Sequence, residues 1–153
     1  MYKVVIADSS CLIALSKIGE LEVLHALFEN IFIPKAVYVE VVVQGKGRAG
    51  SEEIKNAKWI KVETVKNKLA VKALQINLGE GESEAITLAI EKGADLIILD
   101  DFKARQTAEE LSLTFVGTLA ILQKAKSKGL IKNIEKTLDD LRKAGFRFSF
   151  KLK

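Results

Sequence analysis

The sequence contains only one cysteine, one histidine and one proline among its 153 residues. The single cysteine, Cys11, excludes an internal disulfide and any zinc site built from several cysteines. The single histidine, His25, lies among leucines at helical spacing, where a helix-surface position is expected. Histidine-dependent triads and the usual catalytic zinc sites are therefore not expected.

Long hydrophobic runs are also missing. No apolar run approaches the roughly 20 residues of a membrane-spanning helix. The N-terminal run ends within a few residues at Asp8, which predicts a strand and not a signal peptide. We therefore expect a cytoplasmic protein that does not contact a membrane.

What remains is the composition of a regular globular chain. The hydrophobic fraction is 48%, and no charge-rich segment is free of large apolar residues, so disorder is not expected. The length favours a single domain over residues 1–153. The net charge of +4 mildly favours a polyanionic partner such as nucleic acid, although many small proteins are equally basic without binding one.

Short β-branched runs alternate with helical patterns along the chain. Strands are predicted at 3–7, 31–33, 59–62, 96–99 and 113–117. Helices are predicted from Ser9 or Ser10 to Gly19, at 20–29, at 34–44, shortly after the loop at 45–53, and at 68–76, 79–93, 102–111, 118–129 and 133–145. Valines in 34–44 favour a strand, but its length and an initial Pro34 favour a helix that begins at the proline. The alternation predicts an α/β fold of three layers, α/β/α, around a parallel sheet of about five strands.

Two of the predicted core strands end at carboxylates. Strand 3–7 is followed by Asp8, and strand 96–99 is followed by Asp100 and Asp101. Open parallel sheets place their sites beyond the carboxyl ends of the strands, so neighbouring strands would bring these acids together. Clustered carboxylates are costly unless a cation neutralises them. For either strand alone, capping of the following helix is the simpler explanation.

Two further acids lie in apolar surroundings. Glu40 is the only charge in AVYVEVVV, so on a helix it needs a partner, a cavity or a face turned to solvent. Extending the apolar stripe 85, 86, 89 and 90 back by one turn reaches Glu82. Acids at a helix start also interact favourably with the positive helix end, by ~0.3–1 kcal/mol. That effect accounts for the general acidity of the segment but does not require an acid on the apolar face.

Together these acids indicate a metal site. Ligand sets made only of oxygen suit Mg²⁺ or Mn²⁺, which keep several waters and bind substrate phosphate oxygens. Such ions activate a water for attack on a phosphodiester and stabilise the leaving oxygen. The candidate ligands are Asp8, Glu40, Glu82 and Asp100.

The sequence resembles PIN domains. The matching motifs are VVIADSSCLIAL, IPKAVYVEVV, GEGESEAITLA and ADLIILDDFKAR, each with one of the four acids, and Glu82 and Asp100 have the spacing seen in the family. Residues 115–131 and 137–149 resemble an uncharacterised prokaryotic branch near VapC-type toxins. The resemblance covers nearly the whole chain. It departs from the common pattern at Glu82, which is usually aspartate, and at Ile98, where many members have a hydroxyl residue.

The resemblance implies a PIN-like fold and an endoribonuclease that depends on Mg²⁺ or Mn²⁺. The four acids would be both the catalytic residues and the metal ligands. Many family members are toxins neutralised by a small antitoxin, and many are homodimers. The implied partners are therefore an RNA substrate, an antitoxin protein and a second copy of the chain.

The resemblance also suggests residues around the acids. Asp101 would be an additional metal ligand, Ser9 a supporting hydroxyl and Thr118 a hydroxyl lining the pocket. Arg105 lies one helical turn beyond Asp101, where it either pairs with that aspartate or contacts an RNA phosphate.

Two other functions are compatible with a parallel sheet that has acidic residues clustered at its strand ends. One is a PIN fold with weak catalysis that acts as an RNA- or protein-binding module; the presence of all four acids favours the enzyme. The other is a phospho-acceptor receiver domain, which expects an acid pair after the first strand and a lysine after the last. DSS and GT stand at those places and disfavour it.

Overall fold

The computed structural model describes residues 2–147. Met1 and residues 148–153 are outside that range, and so are the last two residues of the motif at 137–149. Within the described residues, five parallel strands form one sheet in the order β3-β2-β1-β4-β5. The strands are β1 (Val5–Ala7), β2 (Ile31–Pro34), β3 (Ile60–Glu63), β4 (Leu96–Ile98) and β5 (Phe115–Val116).

Helices connect the strands and cover the sheet. The α-helices are α1 (Ser9–Lys17), α2 (Glu22–Phe28), α3 (Lys35–Tyr38), α4 (Ser51–Asn56), α5 (Lys68–Leu74), α6 (Glu80–Lys92), α7 (Phe102–Glu110), α8 (Thr118–Ser127) and α9 (Ile134–Lys143). A π-helical turn, Val39–Gln44, continues α3 without a break. The alternation of strands and helices confirms the predicted α/β fold with a parallel sheet of five strands.

The buried core lies on both faces of the sheet. Strand residues alternate between the two faces, so Val5 and Ala7 pack with α1, α2, α8 and α9, whereas Ile6 packs with α5, α6 and α7. Both central strands are fully apolar because each face is covered. Two layers of helices therefore hold β1 and β4 rigidly, and with them the residues at their carboxyl ends.

Three details differ from the sequence predictions. Asp8, and neither Ser9 nor Ser10, is the N-cap of α1. Pro34 ends β2 and caps α3 in an extended conformation, with ψ of 162°, so the helix begins one residue later than predicted. Ile90 is 52% exposed, because α6 packs against α3 and α5 as well as the sheet, which moves its buried arc away from that residue.

The predicted helix after Pro34, the end of α6 and the surface position of His25 are confirmed. Residues 35–44 are helical, and Gly93 ends α6 in the left-handed conformation, with φ of 60°. His25 is exposed on α2 and stacks on Trp59, with ring centroids 5.1 Å apart. Within residues 2–147 no helix is both long enough and apolar enough to cross a membrane.

Candidate metal centre

The pairing of β1 with β4 brings the first and last of the four acids to the same edge of the sheet. Ala7 is opposite Ile98, and the Asp8 backbone N–H donates to the Ile98 carbonyl at 3.2 Å. Asp8 therefore leaves the sheet directly after β1, and Asp100 follows two residues after the end of β4. The chain moves from β1 to β2 and β3 on one side and then crosses to β4 on the other. The sites of open parallel sheets are found at such a reversal, beyond the carboxyl ends of the two strands.

Glu40 reaches this edge from the π-helical turn. The side chain is exposed, and its Oε2 accepts a hydrogen bond from the Ser9 hydroxyl at 3.1 Å. The turn is widened by i to i+5 bonding, a feature that often occurs at functional sites. Helix α3 is tied to α6 by the Ala36 backbone N–H, which donates to Glu84 at 3.0 Å. The exposed Glu40 side chain is thus held beside Ser9 and close to Asp8.

Glu82 lies in the first turn of α6 and is half-buried. Its Oε1 accepts a hydrogen bond from the Gly79 backbone N–H at 3.1 Å, which caps the helix. Burial raises the pKa of Glu82, the Gly79 bond lowers it, and repulsion from Asp101 and Glu40 raises it further. The Glu82 carboxylate therefore belongs to the same electrostatic group as the other acids, although one of its oxygens is engaged in capping.

Gly81 shows how closely the acids approach α6. A Cβ atom at this position would lie 3.2 Å from Glu40 Oε1 and 3.5 Å from Asp8 Oδ1. Oxygens from two distant parts of the chain thus border one point on the helix surface. A residue without a side chain leaves that point open.

Asp100 is held in place by three hydrogen bonds. Its Oδ1 accepts from the Thr118 backbone N–H at 2.8 Å, and its Oδ2 accepts from the Thr118 hydroxyl at 2.6 Å. The Ser10 hydroxyl also donates to Oδ2, at 3.1 Å. Thr118 is fully buried at the start of α8, so it is a rigid anchor. The half-buried carboxylate is fixed in orientation and keeps lone pairs for a further ligand.

The neighbouring residues Asp101 and Arg105 do not pair with each other. Asp101 caps α7 by accepting from the Ala104 backbone N–H at 3.0 Å. Arg105 donates from Nε to the Leu99 carbonyl at 2.8 Å, and its guanidinium lies 5.6 Å from the Phe115 ring centroid. Among the described residues Arg105 forms no salt bridge. The ion pair with Asp101, one of the two alternatives for Arg105, is therefore not formed.

Asp8 carries the strongest electrostatic signal in the site. It is 4% exposed, and its Oδ1 is buried with no hydrogen-bond partner. Burial raises its pKa to about 7; the Ser9 backbone N–H lowers the pKa, and repulsion from Glu82, Glu40 and Asp100 raises it. A buried polar atom without a partner is costly. A cation at this oxygen would satisfy it and relieve the repulsion together.

These residues fit a hard divalent cation in donor chemistry. All four acids offer oxygens, Asp8 Oδ1 has no hydrogen-bond partner, and hydroxyls orient two of the other carboxylates. Within residues 2–147, however, no group of three or more acidic, histidine or cysteine side chains is already arranged to hold a metal. The two aspartates are fixed on strand ends, whereas Glu40 is exposed and Glu82 half-buried. The two glutamates would therefore be the side chains that move to close around an ion.

Sequence reasoning missed Ser10, Gly81 and Gly117. The sequence indicates Ser10 only as a helix cap, because its bond to Asp100 depends on β1 and β4 being neighbours. A Cβ at Gly117 would collide with the Arg105 guanidinium and lie 2.8 Å from Asp100 Oδ1. The available signal was local: Ser10 lies two residues after an acid at a strand end, and each glycine lies one residue before a predicted site residue or helix-start hydroxyl.

Comparison with known proteins agrees with the observed fold. A family model described as a PIN domain matches residues 4–153. A PilT N-terminus domain protein from the archaeon Sulfolobus solfataricus P2 has a similar structure, with a TM-score of 0.55 and 19% identity over 80% of this chain and 92% of its own. VapC20 of Mycobacterium tuberculosis, a toxin that cleaves the sarcin-ricin loop, has a TM-score of 0.53 and 15% identity over 67% of this chain and 94% of its own. No curated protein matches the chain.

Proposed function

The chain belongs to the PIN-domain family, and we propose that it is a metal-dependent endoribonuclease that hydrolyses RNA phosphodiesters. The observation that carries the proposal is the buried Asp8 oxygen without a partner, surrounded by three other acids. A purely structural aspartate at this position would be expected to find a hydrogen bond or to be replaced by a neutral residue. The residues that would hold the ion are Asp8, Glu40, Glu82 and Asp100.

The proposed ion is Mg²⁺ or Mn²⁺. Bound there, it would supply an activated water and stabilise the leaving oxygen. The chain's own contribution is orientation: Ser9 holds Glu40, while Ser10 and Thr118 hold Asp100. Asp101 serves mainly as the cap of α7 and adds negative charge near Glu82.

The finer parts of the proposal concern biological context. Residues 1–153 would form one nuclease domain that acts in the cytoplasm. We further propose that it is the toxin of a toxin–antitoxin pair, neutralised by a small antitoxin, and that it forms a homodimer. These roles follow the common pattern of the family. The similarity of fold to VapC20, a toxin, is consistent with them.

The experiment is RNA cleavage by purified protein with and without Mn²⁺. We expect cleavage only with the metal, and a loss of roughly 100-fold or more in Asp8→Asn and Asp100→Asn, because several kcal/mol of metal stabilisation is removed. Asp139→Asn is the matched control, since Asp139 is exposed on α9 and pairs there with Lys143 at 3.0 Å. Equal cleavage by wild type and both site variants would reveal a contaminating nuclease and overturn the proposed site.

A second candidate function is RNA or protein binding with weak catalysis. It is favoured by the absence, among residues 2–147, of three side chains already placed to hold a metal. Calorimetric titration distinguishes the two functions. Saturable binding of Mn²⁺ that disappears in Asp8→Asn favours the enzyme, whereas no heat at millimolar Mn²⁺ together with intact RNA binding favours the binding module.

A further inference from the structure

We propose that a cavity along α7 is a nucleobase subsite, which receives a base of single-stranded RNA next to the scissile phosphate. The inference rests on the proposed ribonuclease function and adds a substrate-recognition site to it. The cavity has a volume of about 680 Å³ and lies between α7, β5 and the segment that precedes α6. That volume is within the range of roughly 300–1,000 Å³ in which small-molecule sites are found.

Phe102 is the main reason for assigning a base to this cavity. It is the first residue of α7, lines the cavity and is 72% exposed. Phe102 directly follows Asp100 and Asp101 in the chain, so α7 begins next to the acidic site. Proteins that bind single-stranded nucleic acids stack bases on exposed aromatic rings of this kind. A phenylalanine that serves the core would instead be buried.

The polar residues of the cavity suit the edge of a base. Asn77 and Gln106 each present an amide, which has both donors and an acceptor. Gln106 lies one helical turn after Phe102, so the two side chains are on the same face of α7. A base stacked on the ring would therefore have an amide within reach of its hydrogen-bonding edge. This arrangement provides a means of base preference as well as affinity.

Arg105 connects the cavity to the acids. It lines the cavity, while its guanidinium and Asp100 Oδ1 both border the position that a Gly117 side chain would fill. The Nε bond to Leu99 and the Phe115 ring hold the guanidinium in place, and its remaining N–H groups can donate to a phosphate oxygen. A phosphate there would have the metal site on one side and the cavity on the other.

The distribution of charge along the cavity predicts how the RNA backbone and the base are oriented in it. Lys103 and Arg105 are near the start of α7, whereas Glu109 and Glu110 are at its end. The two ends are separated by about 12 Å along the helix axis. The acidic end repels phosphates, and carboxylates accept hydrogen bonds from base amino groups. The backbone would thus pass the basic end and the base would point along the cavity.

The test measures binding of a short, fluorescently labelled single-stranded RNA by anisotropy, with Ca²⁺ in place of Mn²⁺ to limit cleavage. A series of oligonucleotides carries an abasic nucleotide at one position at a time. In the wild type, one position should weaken binding by roughly 5- to 150-fold, the loss of one stacked base. In Phe102→Leu, binding of the intact RNA should weaken similarly and the abasic position should have no further effect. Phe102→Trp should restore the dependence.

Leu130→Ala is the control, because Leu130 is an exposed apolar residue after α8 that is outside the cavity lining. It should retain the wild-type dependence on the abasic position. If abasic positions affect wild type and Phe102→Leu alike, the subsite is overturned, while metal-dependent cleavage measured separately would leave the nuclease intact. If the effect of the abasic position depends on Phe102 but no RNA is cleaved, the result would support the subsite and overturn the nuclease. Absence of RNA binding would overturn both.

Discussion

At the scale of single residues, the surroundings of Asp8 disfavour its ionised carboxylate in the metal-free protein. The carboxyl group is almost completely buried, and one oxygen has no partner. Its pKa is raised to about 7, mainly by burial, from an ordinary value of 3.8. Between these values the folded chain holds a proton at Asp8 that the unfolded chain has lost. The residue therefore ties the stability of the metal-free protein to pH.

The first prediction is that the metal-free protein loses stability as pH rises from about 4 to about 7. The Asp8 contribution is fully present below pH 3.8 and is lost as pH passes through the folded pKa of about 7. Its slope is at most about 1.4 kcal/mol per pH unit. Urea unfolding in EDTA at several pH values measures this slope. The wild type should gain free energy of unfolding between neutral and low pH. Asp8→Asn should gain less over the same pH range.

A slope that is identical in wild type and Asp8→Asn would contradict this prediction, since other groups would then account for it. Calorimetry offers an independent measurement. Because a metal binds the ionised carboxylate, Mn²⁺ should bind more tightly at pH 8 than at pH 6 and should release a proton on binding at pH 6.

The second prediction concerns Thr118, whose hydroxyl and backbone N–H both bind Asp100. Removing the hydroxyl in Thr118→Val leaves the backbone bond and a side chain of similar size, so the fold is retained. The carboxylate loses a charge-assisted hydrogen bond that orients it, and metal affinity should fall about 10- to 100-fold, as for other residues that support metal ligands. Titration of Mn²⁺ measures the change. Thr118→Ser keeps the hydroxyl and should remain within a few-fold of wild type; if it loses as much as Thr118→Val, packing and not hydrogen bonding is responsible.

At the scale of elements, the strands and most helices could be predicted because their signals are local. The apolar run 96–99 and the glycine at 93 are sufficient to place β4 and the end of α6. The π-helical turn could not be predicted, since VEVVVQ has no local feature that separates it from an α-helix. The orientation of Glu40 depends on that turn and on the contacts of α3 with α6. Its position in the candidate site therefore requires the tertiary structure.

The acids and the residues that form hydrogen bonds with them also differ in how well the sequence predicts them. The acids themselves could be predicted from their positions at strand ends and in apolar segments. The bond from Ser10 to Asp100 joins residues that are adjacent only because β1 pairs with β4. Strand order in a parallel sheet is not encoded by any single segment. Hence the candidate ligands were accessible to sequence reasoning, whereas the residues that orient them were not.

The third prediction concerns Gly81, in the first turn of α6, where one substitution should affect helix stability and metal binding differently. Alanine is a better helix former than glycine by about 1 kcal/mol. Its methyl group would lie 3.2 Å from Glu40 Oε1 and 3.5 Å from Asp8 Oδ1, where it would occupy the space between the acids. Gly81→Ala should therefore be at least as stable as wild type to urea but should bind Mn²⁺ more weakly and cleave RNA more slowly. A variant with unchanged metal affinity would show that an ion, if bound, lies elsewhere.

At the scale of the whole molecule, the four acids connect parts of the chain that are distant in sequence. Asp8 and Asp100 follow β1 and β4, Glu40 lies in the π-helical turn, and Glu82 lies at the start of α6. Without an ion, burial and, to a smaller extent, repulsion from the other three acids disfavour the ionised Asp8 carboxylate, as its raised pKa shows. With an ion bound, the same carboxylates would hold the elements together. Metal binding should therefore act on global stability and not only on the local site.

The fourth prediction is a metal-dependent rise in the melting temperature. An ion that binds only the folded state at 100 times its dissociation constant contributes about 2.7 kcal/mol, and for a chain of this length each kcal/mol corresponds to about 2–4 °C. We expect Mn²⁺ to raise the melting temperature by about 5–11 °C at pH 8. Asp100→Asn should abolish most of the shift, whereas Asp139→Asn, on the exposed face of α9, should retain it. K⁺ at matched ionic strength controls for screening of the acids; if K⁺ produces the same rise, the stabilisation comes from general screening and no specific ion is bound at the ends of β1 and β4.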